Sequence, residues 1–232
     1  MIPTSLIPYS DDDSRQQRFH FVVLLLLLTN IVVFIYQISL GQEGMARFVF
    51  SYAAVPFQLT EYTDVPPTID YPIWVTAFTS MFMHGGLLHI ASNMLYLWVF
   101  GDNIEDAMGP GRFLLFYLLC GLGALAAQIA IDPGSQTPIV GASGAIAGIL
   151  GAYLMLFPRG RVKVVTFIVI IPFFLRLPAL IVIGFWIVIQ FVSGWASIGP
   201  GVEEATGGVA YFAHIGGFLT GIILVWFFRK RS

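Results

Sequence analysis

The chain has 232 residues, 57% of them hydrophobic and only 10% charged, with a mean hydropathy of +0.84. Repeated apolar runs in so short a chain exclude a soluble globular protein and leave room for one membrane domain but no second sizeable one. The formal net charge of -2 averages over two faces of a bilayer, and no basic tract interleaved with aromatics points to nucleic acid.

In chain order, residues 1–18 form a polar tail in which Asp11, Asp12 and Asp13 precede Arg15 and Arg18. The apolar run 19–40 is too long for a signal-peptide core and has no small-residue cleavage site after it, so it reads as a retained first transmembrane helix. His20, at its polar edge, is expected at the interface without a catalytic role. Residues 41–72 make a long loop with few charges and Pro56, Pro66, Pro67 and Pro72; its length and aromatic content place it partly in the membrane interface. A second helix starts over 87–100, with His89 and Asn93 in its outer turns and Glu105 and Gly109 toward its inner end. Residues 112–131 are the third helix, and a connection rich in Pro and Gly, 132–140, leads to Ser143 at the head of a fourth apolar run, 145–157.

Arg159, Arg161 and Lys163 follow, and then 164–175, apolar but broken by Pro172 and too short to span as a helix, which is expected to be a re-entrant or interfacial loop. The fifth helix, 178–195, carries Gln190 as its one strongly polar residue; a loop with Glu203 and Glu204 connects it to the sixth, 211–228. The organisation expected is a membrane domain over 19–228 between the polar tail and a basic end, 229–232. The basic residues orient it: with six spans and both termini cytoplasmic, Arg15, Arg18, Arg112, Arg159, Arg161, Lys163, Arg229, Lys230 and Arg231 lie inside, Arg176 lies at the inner edge and Arg47 is the exception. Ser143, His214, His89 and Asn93 then share the outer half of the bilayer.

Gly141-Ala142-Ser143-Gly144 has two readings. Small residues at the head of a membrane helix let neighbours approach, with Ser143 capping the helix or bonding to its own backbone. Alternatively Ser143 is a nucleophile, Gly141 and Gly144 admit a substrate carbonyl, and the N–H groups of the helix start face an oxyanion. The histidines favour the second. Of four, His84, His89 and His214 fall in or beside apolar segments, where an ionisable side chain is costly and so marks function. Ser143 on one helix and His214 on another are the two parts that general-base activation needs. His89 and Asn93, four apart, share a helical face, with His84 nearby. Cys120, the single cysteine, lies inside an apolar helix and reads as packing.

Gly141-x-Ser143-Gly144, the spacing His84-x4-His89-x3-Asn93, and Ala213-His214-x-x-Gly217-x-x-x-Gly221 together resemble the signature of the rhomboid intramembrane serine proteases, over roughly residues 76–228. The resemblance implies an all-α bundle of six transmembrane helices and a serine endopeptidase. Its substrates would be transmembrane helices of other membrane proteins, cut near their outer ends at a small residue after local unwinding. It also implies that Asn93, His89 and the backbone N–H of Ser143 receive the oxyanion, that His84 supports them and that Glu105 is a structural acid near a helix end. Two features depart from the family: Arg47 and Trp74 do not form the Trp-Arg pair frequent in the first loop, and Ala147 stands where a ring often stacks on the histidine.

Between positions 108 and 202 the only acid is Asp132, in a loop, so a Ser143–His214 dyad is expected, with Glu203 or Glu204 the remaining candidates for a third member. No cofactor or metal is called for, and the partners expected are transmembrane substrates and the bilayer itself. A transporter or channel is the main rival, but it requires polar residues through the whole depth, and the inner halves of the helices are nearly devoid of them. A metal site at His84, His89 and Asn93 has no Asp, Glu or Cys to complete it. A client-binding relative without activity would have no need of both Ser143 and His214.

Overall fold

A computed structural model describes residues 6–11, 19–168, 170–198 and 209–230. Its elements in order are strand β1 (Ile7–Asp11) and helices α1 (Phe21–Ser39), α2 (Gly41–Tyr52), α3 (Pro56–Glu61), α4 (Thr76–Thr79), α5 (Leu87–Met108), α6 (Pro110–Ile131) and α7 (Ser143–Leu156). Strands β2 (Arg161–Ile168) and β3 (Ile171–Pro178) and helices α8 (Ala179–Ala196) and α9 (Tyr211–Phe228) complete the chain. Glu203 and Glu204 lie outside the described residues.

The fold is mostly helical. Among the described residues α1, α6, α8 and α9 are each long and apolar enough to cross a membrane, and a fifth span results if Ile73–Phe82 and α5, bent by 80° between them, are counted as one. Helix α7 is apolar but has only 14 residues.

The chain is not all-α. Residues 164–175, expected as a re-entrant or interfacial loop, belong to the antiparallel hairpin β2–β3, and β1 from the polar tail adds to it in the order β1-β2-β3. The stretch is dense in β-branched residues, Val162, Val164, Val165, Thr166, Ile168, Ile170 and Ile171, which suit a pleated surface better than a helix. Pro172 is tolerated because β3 is an edge strand, with one side free of ladder bonds. The first loop is likewise more structured than a connector. It holds α2 and α3, and Ala54 pairs with Ile139 of the loop ahead of Ser143 (Ala54 N to Ile139 O, 3.2 Å; Ile139 N to Ala54 O, 2.8 Å).

Helix α9 packs between α6 and α7 through faces without side chains. A methyl group on Gly217 or Gly221 would overlap the carbonyls of Gly144 or Gly148, and one on Gly216 would overlap Ala127. Backbones meet this closely only where small residues line both sides. Buried polar ties fasten the opposite end of the bundle. The Glu105 carboxylate accepts from Val22 N (3.1 Å) and Val23 N (2.8 Å) and so satisfies the free N–H groups opening α1, the structural part expected of it. Asp11 Oδ2 accepts from Asn103 Nδ2 (2.7 Å) and Tyr153 Oη (2.6 Å), joining β1 to α5 and α7.

Candidate active site

The site lies where α7 begins. Gly141 has φ +128°, a conformation that favours glycine, and its N–H donates to Ser80 O at 2.9 Å, turning the chain into the helix. Ser143 follows in the first turn, where backbone N–H groups have no partner inside the helix. The glycine contacts between α7 and α9 bring His214 opposite it: Ser143 Oγ and His214 Nε2 are 2.8 Å apart. The hydroxyl is therefore engaged by the imidazole.

The other imidazole nitrogen, Nδ1, lies 2.7 Å from Gln190 Oε1 on α8. One turn before Gln190, the Trp186 ring lies against His214, with centroids 5.8 Å apart and 36° between planes. Ala147, where a stacking ring was sought, is fully buried inside α7. Sequence reasoning singled out Gln190 as a polar residue in an apolar run but could not assign it a partner, and it missed Trp186 altogether. A polar side chain one helical turn from an aromatic was the available signal.

His89 and Asn93 stand four residues apart on α5 and so share one face of it. A Cβ placed on Gly141 would lie 2.8 Å from His89 Nε2 and 3.6 Å from Ser143 Oγ, so these three residues crowd one spot and Gly141 keeps it open. Gly85 N donates to His89 Nδ1 at 3.3 Å, and a neutral imidazole that accepts at Nδ1 carries its proton on Nε2. Asn93 Nδ2 is buried and has no hydrogen-bond partner among the described residues.

His84 is fully buried and packs edge-on against the His89 ring, centroids 5.1 Å apart. Gln37 of α1 clamps the His84 backbone from both sides: Nε2 donates to His84 O (3.3 Å), and Oε1 accepts from His84 N (3.1 Å). Gly144 has a packing part. A Cβ there would meet Ala124 of α6 at 2.5 Å. His20 lies elsewhere, 3.3 Å from Asp106.

The family model described as "Rhomboid domain" matches residues 72–231. The chain is 29% identical over 164 residues to "Rhomboid protein 1, mitochondrial" of Saccharomyces cerevisiae, a match covering 67% of this chain and 42% of that protein. It is 43% identical over 81 residues to "Rhomboid protease GluP" of Bacillus subtilis, covering 35% of this chain and 15% of that one. Against "Rhomboid-like protein 11, chloroplastic" of Arabidopsis thaliana the identity is 27% over 167 residues, 69% of this chain and 55% of the relative. The chain thus corresponds to about half or less of the length of these relatives. A match that runs from the first loop through α9 and takes in every residue of the site makes the chain an integral membrane protein of the rhomboid family.

Proposed function

We propose that the chain is an intramembrane serine endopeptidase that hydrolyses peptide bonds in or near the transmembrane helices of other membrane proteins through a Ser143–His214 dyad. The observation that carries this reading is the 2.8 Å approach of Ser143 Oγ to His214 Nε2 across two apolar helices. Ser143 Oγ attacks the scissile carbonyl carbon while Nε2 takes its proton. The carbonyl oxygen becomes an oxyanion, and the imidazolium then gives the proton to the leaving nitrogen as the C–N bond breaks. Water repeats the sequence on the acyl-enzyme and frees Ser143.

The oxyanion is received by three donors, Asn93 Nδ2, His89 Nε2–H and the Ser143 backbone N–H. Each such donor contributes about 3–4 kcal/mol to the transition state in a water-poor site. The unpartnered Asn93 amide supports its assignment, because a buried donor finds its acceptor only when the substrate arrives. His84 supports the set from behind His89, Gly141 leaves the carbonyl room, and Gly144 lets α6 approach.

The membrane domain comprises residues 19–228 and six spans, α1, α5, α6, α7, α8 and α9, with the tails 1–18 and 229–232 both cytoplasmic. Helix α7 is about 21 Å long at 1.5 Å per residue, shorter than the roughly 30 Å of hydrocarbon. With its C-terminal end at the inner surface, Ser143 lies below the outer surface, at a depth a substrate helix reaches by unwinding.

Covalent labelling tests the reading. A serine-directed fluorophosphonate added to detergent-solubilised protein is expected to modify Ser143, and His214→Ala is expected to abolish the labelling while the protein stays folded. Absence of label on folded wild-type protein, or label on another serine, overturns the dyad.

A further inference from the structure

We propose that Gln190 is the positioning residue of the dyad, holding His214 in the tautomer that accepts the Ser143 proton, with Trp186 bracing the ring. The inference rests on the Ser143–His214 reading and supplies what the dyad needs: a group that decides which imidazole nitrogen is free. Gln190 is 7% exposed, on a helix whose other residues from Leu180 to Val192 are apolar or glycine. A buried amide in such surroundings is costly unless its bonds are made.

The amide orientation follows from its neighbours. Gln190 Nε2 donates to Trp186 O at 3.4 Å, one turn back on the same helix, which leaves Oε1 facing His214 Nδ1 at 2.7 Å. The reverse orientation would set two carbonyl oxygens against each other at Trp186. A carbonyl oxygen can only accept, so Nδ1 carries the hydrogen and Nε2 presents its lone pair to the Ser143 hydroxyl 2.8 Å away. When Ser143 bonds to the carbonyl carbon and its proton passes to Nε2, the Nδ1–H bond to Gln190 becomes charge-assisted and shortens. It relaxes when Nε2 gives that proton to the leaving nitrogen. Gln190 touches neither substrate nor reacting atoms, and it acts through the imidazole.

Trp186 and Gln190 are four apart and so reach His214 from one face of α8. The ring supplies a flat wall and the amide a directional anchor, and together they fix the imidazole in rotation and in tilt. Position 147 of α7 supplies no such ring, being an alanine sealed in the core.

The test compares Gln190→Met, which keeps length and removes the acceptor, with Gln190→Glu, which keeps an acceptor oxygen at the same place. For cleavage of a model transmembrane substrate, Gln190→Met is expected to lower kcat at least about tenfold with KM within about twofold of wild type. Its fluorophosphonate labelling should slow in parallel, and Gln190→Glu should recover much of both rates. Equal rates in Gln190→Met and wild type, or equal losses in the two variants, overturn the proposal. Heteronuclear NMR of histidine-labelled wild-type protein, with His214 assigned by its absence in His214→Ala, gives an answer that needs no variant at position 190 to fold. At mildly alkaline pH the neutral His214 ring should be protonated on Nδ1, and protonation on Nε2 overturns the proposal. If wild-type protein takes no label at Ser143, the dyad reading itself has failed, whereas a labelled wild type with an unaffected Gln190→Met sinks only the part given to Gln190.

Discussion

An amide donor left unpaired in a protein interior costs about 1–3 kcal/mol, and Asn93 Nδ2 has no partner among the described residues. On the proposed reading this donor meets a charge that appears only during reaction, so Asn93→Ala should act on the rate and leave binding nearly untouched. The expected result is a fall of about a hundredfold or more in kcat with KM little changed. Thermal unfolding should shift by no more than a few degrees, because the substitution also removes the unpaired donor. A raised KM at constant kcat, or a collapse in thermal stability, would make Asn93 a substrate-positioning or packing residue. At this scale the sequence was informative wherever chemistry conflicts with surroundings: Ser143, His84, His89, Asn93 and His214 stand out as polar groups in apolar runs. It paired Ser143 with His214 but was silent on what holds the imidazole. Gln190 stood out in the same way, yet which helix it faced depends on the rotation of α8 against α9, and residue spacing within α8 carries no record of that.

On the proposed dyad, the α7–α9 contact is where element packing would become catalysis, since the glycine faces bring Ser143 Oγ and His214 Nε2 to 2.8 Å. Gly221→Ala places a methyl group inside the Gly148 carbonyl, so the helices must move apart. Overpacking of this kind costs about 1–3 kcal/mol, and here it also widens the dyad. The variant is expected to unfold at lower temperature and to lose more activity than its stability loss explains. Gly184→Ala on α8 is the control, because a Cβ there meets nothing within 4 Å. Removing backbone freedom in a helix should make it neutral or more stable by about 0.5–1 kcal/mol. If both variants keep full activity, the glycine contact does not set the dyad distance. The glycine faces were readable as patterns, and the boundaries of α9 were read residue for residue. The β2–β3 hairpin was not, because an apolar stretch with a proline reads equally as a broken helix, and only the partner strand β1, more than a hundred and forty positions away, completes the sheet.

At the scale of the whole molecule, one end of the bundle gathers groups that are distant in sequence. Glu105 near the end of α5 caps the start of α1, Asp11 of β1 joins the C-terminal parts of α5 and α7, and Lys230 beyond α9 donates through N to Ala107 O (2.8 Å) and through Nζ to Asp106 O (2.6 Å). The hairpin keeps the chain at the same end: Arg161 pairs with Pro178, so β3 returns to where β2 left, and α8 starts beside the end of α7. Arg112, Arg159, Arg161, Lys163, Arg176, Arg229 and Lys230 belong to segments that open or close at this end. Lys and Arg near span ends favour the cytoplasmic side, so on the topology proposed above this end is the cytoplasmic one and the start of α7, with Ser143, faces the outer half. Reporter fusions after Gly160 and after Ser232 are therefore expected to read cytoplasmic, and a fusion after Gly134, between α6 and α7, to read the opposite side. Opposite readings at Gly160 and Ser232 would mean an odd number of spans between them, which an antiparallel hairpin between α7 and α8 does not allow. Agreement at those two with Gly134 on their side would remove α7 from the bilayer and Ser143 with it, and an intramembrane site would no longer be tenable.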